Sequence, residues 1–173
     1  MKLPIPTTNR QKGFTLIELL LYVSLVGALL VTVSFFFATS ASSRIKNQSI
    51  VEVNDQGLNA IEYITETIRN SSSISAPGVG SSSATLTLVM PTAGASPTIF
   101  SLNGTALQVK EGLSAAITLT NSKVSISNLT FKNLSKSGTK GLVQVSFTVT
   151  RVNTSNRNEY DYQKNFVASA AVR

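Results

Sequence analysis

The apolar run at residues 14–38, FTLIELLLYVSLVGALLVTVSFFFA, constrains this chain more than any other feature, because it contains one charge only, Glu18. As a helix at about 1.5 Å per residue it reaches roughly 37 Å, more than the ~30 Å hydrocarbon core of a bilayer. A buried core helix seldom needs so long a run, and a cleavable secretory signal has an apolar region of only about 7–15 residues. The run therefore predicts a membrane span. In a chain of 173 residues it leaves room for one further compact domain. Charged residues make up only 13% of the sequence, about half the usual share for a soluble domain, which agrees with a lipid-facing segment.

Glu18 is the costly residue of the run. A carboxylate at the centre of a spanning helix costs about 3 kcal/mol on insertion scales, and no Lys, Arg or His occurs at residues 14–43 to offset it. The segment in front, MKLPIPTTNRQKG, carries only positive charges, Lys2, Arg10 and Lys12. A cut after Gly13 would create an α-amine on Phe14, cationic near neutrality. In a helix Phe14 and Glu18 would share one face, so the new amine and the acid could pair within a chain or between staggered neighbours. The plainer alternative is a glutamate that favours the helix N-terminal dipole and reaches the headgroups.

Lys12-Gly13 followed by Phe14-Thr15-Leu16-Ile17-Glu18 and an apolar helix resembles the class III signal of type IV pilins and of the pseudopilins of type II secretion and DNA-uptake machines. The resemblance implies that a prepilin peptidase cuts after Gly13 and N-methylates Phe14. It also implies that Glu18 recruits the subunit into a growing filament and pairs with a terminal amine there. Gly27 falls where many pilins carry a helix glycine. The helix-breaking proline that many major pilins carry about eight residues later is absent, the position being Phe35. The implied partners are other pilin subunits, prepilin peptidase, an inner-membrane assembly platform, and membrane lipid before assembly. The implied location is the cytoplasmic membrane as a single-pass precursor, then a surface pilus or an envelope-spanning pseudopilus.

Past Ser40, Ile50, Val53, Gly57, Ile61, Ile64 and Ile68 recur at steps of three and four, the period of one helical face. The helix is expected to continue as an amphipathic element to about Arg69, although a break near residues 40–43 stays open. Residues 71–83, SSSISAPGVGSSS, have loop composition. Beyond them the period changes to two. Strands are expected at Leu86 to Met90, on either side of Asn103-Gly104, and at residues 115–120, 123–131, 142–152 and 160–168. Asn-Gly predicts a type I′ hairpin. The resulting organisation is a basic leader at 1–13, a membrane-spanning or filament-core helix at 14–43, its amphipathic half at 44–70, and a β-rich globular head at 71–173. This order resembles the α+β pilin fold, a long helix packed on an antiparallel sheet, and the patterns at residues 128–131 and 143–149 resemble those of minor pilins and minor pseudopilins.

Catalysis finds little support. With no His and no Cys, imidazole bases, thiol nucleophiles, zinc sites and disulfides are excluded. The head has three acids, Glu111, Glu159 and Asp161, too few for paired-carboxylate hydrolysis. Glu159 and Asp161 would share one side of a strand, but two carboxylates do not make a calcium site. Ser137 and Lys140 match a Ser-x-x-Lys spacing that reads as a polar turn. No enzyme activity, cofactor or metal is expected.

Charge offers a second possibility. Residues 71–173 hold nine basic side chains against those three acids, nine minus three or +6. Lys132, Lys136 and Lys140 lie in or beside one expected loop that could meet DNA phosphates or another polyanion. A solvated loop that keeps the head soluble is the simpler reading. Two other readings of the chain stay open. One is a membrane-anchored, non-polymerising envelope protein whose basic head binds DNA. The other is a secreted β protein cut before Ala41, since Ala38-Thr39-Ser40 resembles a small-residue signal-peptidase site.

Overall fold

The computed structural model describes residues 13–173, so of the expected leader only Gly13 is seen. One helix, α1 (Leu16–Asn70), is followed by nine strands. These are β1 (Ser73–Ala76), β2 (Ser82–Ser83), β3 (Leu86–Val89), β4 (Thr98–Asn103), β5 (Ala106–Glu111), β6 (Ile117–Thr118), β7 (Val124–Asn133), β8 (Leu142–Arg151) and β9 (Gln163–Ala171). The chain divides into two compact units, one ending at Ala41 and one comprising Ser42–Arg173.

The first unit holds the apolar part of α1, the one helix among the described residues that is long and apolar enough to cross a membrane. Its few hydroxyls do not compete with the helix. Ser24 donates to the Leu21 carbonyl at 2.8 Å, Thr32 to that of Leu29 at 2.8 Å, and Thr39 to those of Phe35 and Phe36. Each of these three hydroxyls is thus satisfied by its own helix, the requirement that lipid imposes. Residues 40–43 stay helical, so the break that serine composition left open does not occur.

In the second unit, α1 buries Ser49, Val53, Gly57, Ala60, Ile64 and Ile68. This is the expected stripe with its phase corrected. Ile50 and Ile61 are only half-buried, and Ser49 and Ala60 take their places on the buried line. On that line Gly57 answers to a close approach: the Phe166 ring occupies the space a Cβ there would need. Ser49 tolerates burial by donating to the Ile45 carbonyl at 3.1 Å. The helix ends where the buried Ser71 hydroxyl caps the Ile68 carbonyl at 2.7 Å.

The strands form two antiparallel sheets, ordered β1-β3-β4-β5-β6 and β2-β7-β8-β9. Their inner faces and α1 share one core, with Leu86, Leu88, Phe100, Leu107 and Val109 from the first sheet and Phe131, Val143, Val145, Val149 and Phe166 from the second. The α+β order of long helix followed by antiparallel β-structure is the one the resemblance implied.

Three details depart from expectation. Residues 71–83 contain β1 and β2 as well as loop, because the segment crosses both sheets at their edges, where its backbone groups pair with β3 and β7. The buried Asn133 holds the loop between them, donating to the Pro77 carbonyl at 2.7 Å and accepting Gly80 N–H on its own carbonyl at 2.9 Å. The β4–β5 hairpin turns at Gly104-Thr105, since Asn103 pairs with Ala106. Only Gly104 of the two has positive φ, +62°, so the turn is of the II′ kind, with glycine first. The expected strands at 115–120 and 160–168 contract to β6 and shift to β9, respectively, the latter because Asn158–Tyr160 form a 3-10 turn.

Candidate processing and assembly site

The helix start is built from Thr15. Its Oγ1 accepts the Glu18 N–H at 3.3 Å and its carbonyl accepts Leu19 N–H at 3.1 Å, which makes Thr15 the N-cap and Leu16 the first helical residue. Thr15 and Glu18 have the Thr-x-x-Glu spacing of a capping box, so the same short motif that marks the resemblance also specifies where the helix begins. The Thr-x-x-Glu spacing is by itself a sequence signal for this cap, separate from the resemblance that the motif carries.

Gly13 and Phe14 therefore lie upstream of the cap, in exposed, non-helical backbone. A peptide bond in that setting can be drawn into the extended form a peptidase cleft requires without unwinding the helix. The expected Phe14–Glu18 relation on one helical face does not hold in this uncut chain, because Phe14 precedes the helix. Its ring instead packs edge-on against Tyr22, with centroids 6.1 Å apart. Glu18 sits in the first turn, half-buried, where the helix dipole favours an acid. Gly27 meets no neighbour, and Phe35 continues the helix without interruption. The leader charges Lys2, Arg10 and Lys12 fall outside the described residues.

The remaining sequence candidates scatter. Lys136 and Lys140 line one shallow concavity with Leu134 and Leu142, whereas Lys132 lies on β7 and is not part of its lining. Ser137 and Lys140 belong to a solvent-exposed turn closed by Thr139, whose hydroxyl donates to the Lys136 carbonyl at 2.8 Å. Glu159 and Asp161 are not on a strand: Glu159 lies in the 3-10 turn and Asp161 follows it. Glu159 pairs with Arg157 at 3.3 Å, and Asp161 accepts from Asn153 at 2.7 Å. Its backbone hydrogen bond, followed by those from Arg157 and Ser42, holds the Glu159 carboxyl below the usual range. Among the described residues no three acids gather as a metal site would need.

Residues 8–34 match the family model of the prokaryotic N-terminal methylation motif, the signal of type IV pilins and pseudopilins. The match spans both sides of the Gly13–Phe14 bond and includes Thr15 and Glu18. No curated protein and no solved structure matches the chain.

Proposed function

We propose that the chain is a structural subunit of a type IV pilus or a related pseudopilus, held in the membrane as a precursor, cut between Gly13 and Phe14, and N-methylated on Phe14. The observation that carries this reading is the methylation motif at residues 8–34, whose cut position lies just ahead of an N-capped helix suited to a membrane. Glu18 is the assembly residue. Once cleavage frees the Phe14 amine, a cation stands within reach of the first turn, and the acid is offset where the intact chain offers no basic residue at 14–43. The role is structural, with other subunits, prepilin peptidase and an assembly platform as partners. Placement among minor subunits rests on the strand patterns of the head, and copy number per filament decides it.

The test is intact mass and N-terminal sequencing of protein from host membranes and from sheared surface material. A mature chain that begins at methylated Phe14 and occurs in the sheared fraction is the expected result. A start at Ala41 would refute the assignment, since the apolar segment would then be a discarded signal. Glu18→Ala should leave membrane insertion intact and lower incorporation into filaments at native expression, and unchanged incorporation would remove Glu18 from the assembly role.

A further inference from the structure

Three contacts fix the level of the head along α1. Arg173 N–H donates to the Arg69 carbonyl at 3.4 Å, Lys164 Nζ donates to Asn54 Oδ1 at 2.7 Å, and the Ser42 hydroxyl donates to the Glu159 carboxylate. From Arg173 back to Glu159 the chain thus descends the helix, and the loop between β8 and β9 comes to stand beside Ser42, the first residue of the second unit. Ser42 follows Ala38, the last residue of the apolar run, by four residues of unbroken α1, about 6 Å of rise. The headgroup layer outside a hydrocarbon core of ~30 Å is about 5–7 Å deep on each side. With the apolar run in the core, the β8–β9 loop stands at the depth of the headgroups.

The side chains at that level are basic. Residues 39–51 contain Arg44 and Lys46 and no acid. Both cations are exposed, and among the described residues neither enters an ion pair. Two residues apart, they point to roughly opposite sides of α1 and collar it. The loop adds Arg157, whose side chain is 51% exposed and meets Glu159 at 3.3 Å through one terminal nitrogen, leaving the other donors of its fork for a second acceptor. Both acids of the loop are engaged, Glu159 by Arg157 and Ser42, and Asp161 by Asn153 at 2.7 Å. Half-buried Tyr160, next to Glu159, sets an amphipathic ring at the level where such rings favour a bilayer boundary. We infer that the β8–β9 loop, together with Arg44 and Lys46, docks on the phosphates of anionic phospholipids in the leaflet on the head's side. Charge complementarity and covalent continuity with the apolar run both name lipid as the occupant, and a guanidinium fork matches a phosphate. This deepens the proposed function, since it rests on the membrane-held precursor. It adds that the stored subunit keeps its head on the membrane surface by a charge contact that extraction must break.

The chain has no cysteine, so an introduced one reports without background. Full-length Ser155→Cys, at an exposed position of the loop, is labelled with a fluorophore and reconstituted into nanodiscs that carry a headgroup-nitroxide lipid. Quenching should be strong in discs rich in phosphatidylglycerol and weak in discs of phosphatidylcholine alone. The same label at Leu113→Cys should escape quenching in both: that turn is fully exposed and follows Glu111, which bonds Tyr63 roughly 30 Å further along α1 than Ser42. Arg157→Gln, and Arg44→Gln with Lys46→Gln, should lower the ratio of docked to undocked loop by about fivefold per charge removed. Arg157→Lys keeps the charge and should keep most of the quenching, and raised salt should release the loop without any substitution in the site.

Equal quenching in the two lipids, or quenching indifferent to salt and to the three cations, would overturn the docking site while leaving the chain a membrane-held precursor. Failure of the native chain to enter nanodiscs would overturn both. Release of the loop by inorganic phosphate at an ionic strength where chloride leaves it in place would show a site for a small free anion, and the lipid assignment would fall.

Discussion

At Gly57 the helix and the Phe166 ring of the second sheet are in close contact, and replacement of this glycine by alanine sets two effects of opposite sign against each other. An alanine in a helix interior gains about 1 kcal/mol over glycine. Here the added methyl would fall inside the Phe166 ring. The ring has little room to withdraw: it is 5% exposed and stacked on Phe147 with centroids 5.7 Å apart and planes 20° from parallel. Overpacking of this kind costs about 1–3 kcal/mol, so the expected balance for Gly57→Ala is a net loss of about 1 kcal/mol, a fall in Tm of roughly 2–4 °C for a chain of this size. The assay is thermal unfolding of the full-length protein in detergent micelles, followed by the near-ultraviolet signal of Tyr63, whose ring packs edge-on against Phe100 at 6.1 Å and so reports helix–sheet contact. The decisive quantity is the coupling with Phe166→Leu. With the ring removed, Gly57→Ala should become neutral or stabilising, giving an interaction of about 1–3 kcal/mol between the two sites. Additivity within about 0.5 kcal/mol, or a stabilising Gly57→Ala in the native background, would refute the claim that this glycine is required by close approach.

Thr15→Val removes the cap oxygen while keeping the shape of the side chain. The expected cost is about 1 kcal/mol at the helix start, seen as faster hydrogen exchange at Ile17 and Glu18, with Thr15→Ser behaving as the native chain; unchanged exchange would mean that Thr15 does not cap. Asn133→Ala should leave the Pro77 carbonyl without its buried donor, at about 1–3 kcal/mol, and should make the loop between β1 and β2 a preferred site for limited proteolysis. Burial, and then the hydrogen bond to Glu111 at 3.1 Å, raise the Tyr63 phenol above its usual range. A raised folded pKa means that the contribution is fully present below the unfolded value near 10 and is lost as pH rises through the folded one. Tyr63→Phe should therefore flatten the alkaline limb of a stability–pH profile, and an unchanged limb would show that this contact does not govern it.

The long helix and the change to strand periodicity were legible because each rests on a repeat that side-chain chemistry alone imposes, apolar residues at three and four and then at two. The details that escaped depend on what lies across the contact. Ile50 and Ile61 look like core residues, yet the buried line runs through Ser49 and Ala60, and at Gly57 the Phe166 ring takes the space a side chain would need, a contact that no helical period reveals. The serine-rich segment at 71–83 looks like loop, and its edge strands arise from backbone pairing with β3 and β7 that no serine advertises. Asn103-Gly104 announced a hairpin correctly but not its kind, since the register of β4 with β5 moved the turn one residue onward. Within the methylation motif the sequence pattern singles out Gly13, Phe14 and Glu18, while the cap at Thr15 and the non-helical position of Phe14 needed the helix boundary itself.

The contribution of α1 to the head's core bears on how this protein comes to be folded. Val53, Ala60, Ile64 and Ile68 belong to the same buried cluster as the inner residues of both sheets. In chain order they precede every strand, so during synthesis the surface on which the strands condense is already made when β1 emerges. A fragment that begins at residue 71 would lack that surface and leave Phe166, Leu88 and Val145 facing water. The smallest portion worth expressing as an independent body therefore starts before Ser49, and the apparent boundary between helix and head is not a boundary for folding.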